Sequence, residues 1–211
     1  MRPEQEAAVT GELTRAKVSL NDQQRIITQL RKSPYGANIS EIIASKKFSD
    51  VEGFKQVLSD IKNKQEQQAV HMALQHAVDL ERSGVPIDRM GFEKKMPDDK
   101  LDLDVFTRES GPRVDPATGK PIEPPIDYAY QLKGVEGVDG IKSAARKISR
   151  SQLYGNLPHK IAILDVHSTR AAFTSQHRAD ITHFSKKSNI VFHLRFQDGY
   201  ITVPPRGKLF P

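Results

Sequence analysis

Two stretches of the chain alternate apolar and polar residues with period two, the pattern of half-buried strands: Lys100-Leu-Asp102-Leu-Asp104-Val-Phe-Thr107 and Asp127-Tyr-Ala-Tyr-Gln131-Leu-Lys133. Residues i and i+2 share a face of a strand. Asp102 and Asp104 therefore point the same way, and so do Gln131 and Lys133. Pairing of the two strands would bring two carboxylates, an amide and an ammonium together.

The rest of the pattern predicts the frame around them. Residues 3–32 carry Val9, Leu13, Val18, Ile26, Ile27 and Leu30 at loosely helical spacing, which predicts one or two helices ending at Lys32-Ser-Pro-Tyr-Gly36. A short amphipathic helix follows with Ile39, Ile42 and Ile43. Ser49-Asp-Val-Glu52 has the form of a capping box, predicting a helix that starts there. A longer helix is predicted over residues 62–83, closed by Gly84-Val-Pro86. Next come a short strand (87–95), the first alternating strand, a turn-rich hairpin excursion (108–126) and the second alternating strand. A helix is predicted from Ile141 to Leu153. Lys160–Val166 is almost wholly apolar, as in an interior strand covered on both faces. A helix over 169–185 and two strands joined at Asp198-Gly199 complete the chain. This order predicts an α/β fold, a mixed central sheet flanked by helices, with a helical N-terminal segment over 1–60 and a mixed domain over 61–211.

Composition narrows the chemistry. With no cysteine among 211 residues, disulfides and thiolate metal sites are excluded, and any metal is held by oxygen or imidazole. No apolar run approaches the roughly 18 residues of a membrane helix, so stable membrane insertion is not expected. The net charge of +6 is uneven: residues 141–211 hold 12 Lys and Arg against three Asp and no Glu. Such a half suits a polyanion, though a solvated basic surface has the same composition. Within it Lys142, Arg146 and Arg150 form an i, i+4, i+8 stripe beside the apolar face Ile141, Ala144, Ala145 and Ile148. The stripe is either a track for a phosphate backbone or a solvated helix face.

Other candidates come from misplaced charge. On the 62–83 helix, Glu66 projects close to Val70, Ala73 and Ala77, where a carboxylate is costly unless paired or bound to a cation. The alternative is an exposed first turn, where Glu66 merely complements the helix dipole. Glu81 is a weaker candidate on the same helix. Asp165 and His167 share a face at the end of the buried strand, and His167 is a candidate general base for metal-independent RNA cleavage. Asp104 and Lys133 alone are explained as a cross-strand ion pair.

The order of an early helical Glu66-Gln-Gln-Ala69, Leu103-Asp104-Val105 on a strand and Gln131-x-Lys133 on the next, then a helix and a buried strand, resembles the PD-(D/E)xK nuclease superfamily over residues 62–203. It looks most like the C-terminal toxin nucleases of contact-dependent growth inhibition effectors and other bacterial polymorphic toxins. The resemblance implies a restriction-endonuclease-like core and a metal-dependent nuclease. Glu66, Asp104, Gln131 and Lys133 would be catalytic, Glu66 and Asp104 would hold Mg²⁺ or Mn²⁺, and Asp102 would be an extra carboxylate nearby. Gln131 departs from the acidic residue commoner at that position. The resemblance further implies nucleic acid as substrate, with tRNA favoured and DNA open, action in a target-cell cytoplasm after delivery as part of a larger effector, an N-terminal segment serving entry or attachment, and a cognate immunity protein. A protein that binds nucleic acid, or serves in phage-related assembly, without cutting is the alternative on the same fold.

Overall fold

A computed structural model describes residues 1–111 and 113–211. The chain divides into two compact units, Met1–Glu93 and Lys94–Pro211. The division falls later than the boundary near residue 60 that the sequence suggests, because the long helix expected in the second domain packs with the N-terminal helices instead.

The first unit contains α1 (Pro3–Arg15), α2 (Leu20–Lys32), α3 (Gly36–Ala44), α4 (Phe54–Asp60) and α5 (Gln67–Arg82). Pro3 opens α1, Glu4 and Glu6 sit in its first turn and Arg15 in its last, each suited to the helix dipole. The Ser19 hydroxyl caps α2 by accepting from the Asp22 N–H. The expected capping box at Ser49 does not form: α4 starts five residues later, behind Gly53 at φ +80°. Ser49 donates instead to Glu12, 2.5 Å away, and Glu52 bridges to Gly91. The bridge brings the backbone oxygen of Phe92 within 2.0 Å of where a Gly53 Cβ would stand. Gly53→Ala is expected to cost at least about 1–3 kcal/mol from backbone strain alone, measured as a lower urea midpoint.

The second unit is the α/β part. Its sheet runs in the order β1 (Met90–Met96), β2 (Leu101–Arg108), β5 (Ile126–Val135), β6 (His159–Val166), β7 (Ile190–Phe196), β8 (Gly199–Val203), and the division between units falls within β1. The excursion between β2 and β5 is a separate two-stranded ribbon, β3 (Arg113–Val114) with β4 (Pro121–Ile122). β2 and β5 are antiparallel, β5, β6 and β7 parallel, and β7 and β8 antiparallel. The sheet is therefore mixed, as the order of elements predicts. β6 lies between two parallel partners and its apolar run is buried, the reason that strand reads as continuous rather than alternating.

Two helices pack on this sheet, α6 (Ile141–Lys147) and α7 (Ser175–Ser188). Ile141, Ala144 and Ala145 from the first, Ile148 just after it, and Ile181 and Phe184 from the second, join Phe106, Ala129, Ala162, Leu164 and Phe192 of the strands in one core. The helix predicted to run to Leu153 changes pitch at Ile148: residues 148–152 form a π-helical turn, with the Leu153 N–H donating to the Ile148 carbonyl at 2.8 Å. Leu153 then bridges back to Leu101 at the start of β2. α7 begins at Ser175, not at 169, because the Thr174 hydroxyl caps it while Phe173 is extended.

Candidate functional site

The alternation in β2 and β5 does place the charges. Asp102 and Asp104 are half-buried between buried Leu101, Leu103 and Val105. The β2–β5 register pairs Val105 with Tyr130 and Phe106 with Ala129, and Val105 is the last paired residue on that side. At this point the Asp104 carboxylate takes over from the ladder. Its Oδ2 accepts from the backbone N–H of Leu132 at 2.6 Å and from Gln131 Nε2 at 2.7 Å. One acidic side chain thus satisfies the backbone donor that the strand pair has ceased to serve.

That arrangement fixes Gln131. Its side chain is 5% exposed, and with Nε2 against the carboxylate its Oε1 is a buried acceptor with no hydrogen-bond partner among the described residues. Turning the amide over would set its oxygen against the Asp104 carboxylate, so the orphaned oxygen is a consequence of Asp104. A buried polar atom without a partner costs about 1–3 kcal/mol. A cation beside it would remove that cost.

Lys133, two residues on, is half-buried, and burial holds its pKa below the ordinary lysine value. Lys147 of α6 lowers it further, while Asp104 acts the other way. The expected Asp104–Lys133 ion pair is not made; Lys133 has no ion pair or hydrogen bond among the described residues. Asp102 likewise makes none among them.

The other carboxylates singled out in the sequence have surroundings of their own. Glu66 belongs to the first unit, where it is exposed at the head of α5. Residues 64–66 form a 3₁₀ turn, so projecting them along the α-helix behind Val70 and Ala73 fails, and Glu66 is not on the buried face. Glu81, also in the first unit, pairs with Lys47 at 2.7 Å. Asp165 pairs with Arg195 at 2.5 Å, and His167 is exposed beyond the end of β6 with Glu136 3.8 Å from its Nδ1. Among the described residues no group of three or more His, Asp or Glu is gathered as a metal cage. Asp104 with the Gln131 carbonyl is a two-oxygen set. Mg²⁺ keeps several waters and commonly binds through one or two protein ligands, so this pair is the candidate set.

The basic stripe does line a cavity. Lys142, Arg146 and Arg150 border a cleft of ≈ 940 Å³ between α6 with its π turn and α7. Lys187 adds a fourth cation from α7, and Lys160 a fifth from β6. Asp180 is the one acidic residue bordering it among the described residues, and it pairs with Lys142 at 3.1 Å. Arg146, Arg150 and Lys187 make no ion pair among the described residues. Unpaired cations on a concave wall concentrate positive potential there. The sequence showed the stripe but not the opposite wall, since Lys160 heads a strand read as apolar. Its signal was a lysine where the strand is otherwise buried.

His193 carries the largest pKa displacement among the histidines. It is half-buried on β7, with Nδ1 2.9 Å from the Thr202 hydroxyl, and burial together with Arg195 lowers its pKa to about 4 despite Asp165 nearby. Folded His193 therefore resists a proton that the unfolded chain accepts. As pH falls from about 6.5 to 4 the fold is expected to lose about 1–2 kcal/mol from this group, solvent screening of the partly exposed ring reducing the full effect, with no such loss above that window. His193→Gln should narrow the difference between urea midpoints at neutral and acidic pH.

Comparisons with protein-family models, with curated proteins and with solved structures find no match to this chain. The fold and site define an α/β protein with a carboxylate–amide–lysine group where two strands part, and a basic cleft on the same unit.

Proposed function

We propose that this protein is a metal-dependent nuclease, hydrolysing phosphodiester bonds of nucleic acid, with RNA favoured as substrate. The observation that carries the reading is the group Asp104, Gln131 and Lys133 at the end of the β2–β5 ladder. It combines a carboxylate with a buried carbonyl oxygen and a half-buried lysine, the latter two without a partner among the described residues. Asp104 and the Gln131 Oε1 would hold the ion, and a bound Mg²⁺ would supply Lewis acidity and a more acidic water. Lys133 neutralises charge developing on the phosphoryl oxygens, and its ammonium is available for that because no carboxylate of the described residues is paired with it. The unpaired arginines of the cleft hold neighbouring phosphates.

A second reading is a protein that binds nucleic acid without cutting it. It is favoured by the two hydrogen bonds Asp104 already makes and by the lack of a three-residue metal cage among the described residues. Incubating purified protein with end-labelled total tRNA and with plasmid, in Mg²⁺, Mn²⁺ or EDTA, separates the two. Metal-dependent cutting of either substrate supports the nuclease. Binding with both substrates intact in Mg²⁺ and Mn²⁺ overturns it. Cutting that persists in EDTA and is lost in His167→Ala would point to histidine chemistry instead. If the toxin resemblance holds, a small acidic immunity protein is the expected partner, and it would cover the basic cleft.

A further inference from the structure

The floor of the basic cleft is more specific than a charged surface. Lys160 is only 8% exposed, burial lowers its pKa, and its one hydrogen bond among the described residues goes to the Gly155 carbonyl at 3.1 Å. A buried ammonium with a single neutral acceptor is under-satisfied, having three donors. Ser149 lines the same cleft, is 4% exposed, and its hydroxyl has no hydrogen-bond partner among the described residues. A serine within a helix either faces solvent or bonds back to the carbonyl four residues earlier. Ser151, in the same turn, does so with Lys147 at 2.8 Å. Ser149 does not, and is left as a donor at the cleft wall.

The rim supplies the other half of a ligand. Tyr154 lines the cleft and is 60% exposed, a large aromatic ring left to solvent in a chain that buries most of its rings. The Lys100 ammonium lies 5.0 Å from its centroid, a cation–π contact that restrains the ring. Gly155, which accepts from Lys160, is the next residue along, so the buried cation's acceptor and the exposed ring belong to one short segment. Buried donors for an anion, a wall of unpaired arginines and an adjacent exposed aromatic face match a nucleotide whose base is unstacked.

We infer that this cleft binds single-stranded nucleic acid, with a phosphate on Lys160 and Ser149 and the neighbouring base stacked on Tyr154. A duplex cannot satisfy both halves, since its bases are stacked within the helix. The inference deepens the nuclease reading by naming the strandedness of its substrate, and it concerns binding, which needs no metal. Fluorescence anisotropy in EDTA, with short labelled RNA and DNA as single strands and as duplexes of the same sequence, tests it. Single strands are expected to bind at least about tenfold more tightly than duplexes, within the range of one lost base–aromatic contact. Tyr154→Ala, at an exposed position that does not endanger the fold, should weaken single-strand binding by about tenfold or more while leaving the salt dependence unchanged. Ser149→Ala should weaken it too. Lys160→Met, with folding checked by circular dichroism, should also lower the salt slope by about 0.7. Equal affinity for duplex and single strand, or wild-type binding by Tyr154→Ala, would overturn the inference. Single-strand binding as expected with no cleavage in Mg²⁺ would count against the nuclease reading alone. Comparison of the RNA and DNA arms tells which single strand is preferred.

Discussion

Asp104→Asn is expected to lower metal-dependent cleavage on the order of 10²–10³-fold, the range for losing one preorganised electrostatic group, with little change in stability. The asparagine carbonyl can still accept from the Leu132 N–H and Gln131 Nε2, the bonds of 2.6 and 2.7 Å that Asp104 makes. These two bonds are kept while the charge is lost. Asp104→Ala removes that shared acceptor and leaves two donors stranded at the end of the ladder, each costing about 1–3 kcal/mol. It should therefore lose activity and lower the urea midpoint together. The contrast between the two variants divides the catalysis proposed for Asp104 from its scaffolding of the strand pair. An Asp104→Asn protein that cuts at the wild-type rate would show that the carboxylate is structural, and would leave the strand pair without the metal ligand proposed for it.

The second large effect is expected at the cleft wall. Replacing Arg146 and Arg150 together by alanine should weaken nucleic-acid binding at low salt on the order of 10²-fold or more, as two charge-assisted contacts are worth. It should also reduce the slope of log K against log salt by about 1.4, at roughly 0.7 per phosphate contact on a single strand. Both side chains are exposed and without ion pairs among the described residues, so the fold is not expected to suffer. Lys142 is a useful comparison. It stands on the same stripe but is paired with Asp180 at 3.1 Å, so Lys142→Ala should reduce the slope less. An unchanged slope in the double variant would mean that the phosphates lie elsewhere.

Much of this arrangement was legible in the chain because strand alternation and helix periodicity are local. β2, β5 and β6, and the stripe on α6, stand where the pattern puts them. What failed depended on a distant partner or on a departure from ideal geometry. Ser49 has the letters of a helix cap, but Glu12 takes its hydroxyl and the Glu52–Gly91 bridge holds the backbone extended. Glu66 reads as buried only while its turn is counted as α-helical. The pairing of Asp104 with Lys133 gave way to Gln131 and a backbone N–H, since the ladder ends there and its donor needed an acceptor. The second wall of the cleft could not be read at all. Lys160 and Lys187 come from separate elements, and only the tertiary fold brings them to the cleft that Arg146 lines.

The π turn gives this part of the molecule two phases at once. Four-residue steps drift by about 40° around an α-helix of 3.6 residues per turn, so a row of Lys142, Arg146, Arg150 and Tyr154 would wind off its face before reaching the aromatic. The wider turn at 148–152 lies between Arg146 and Tyr154, Leu153 then leaves the helix to bridge to Leu101, and all four line one cleft while Ile148 and Leu153 stay in the core. The constraint on this segment is thus one of length more than of side-chain identity. Conservative exchanges at its surface are expected to leave the row aligned, whereas loss of a single residue between 148 and 152 is expected to shift Tyr154 against the cations that precede it.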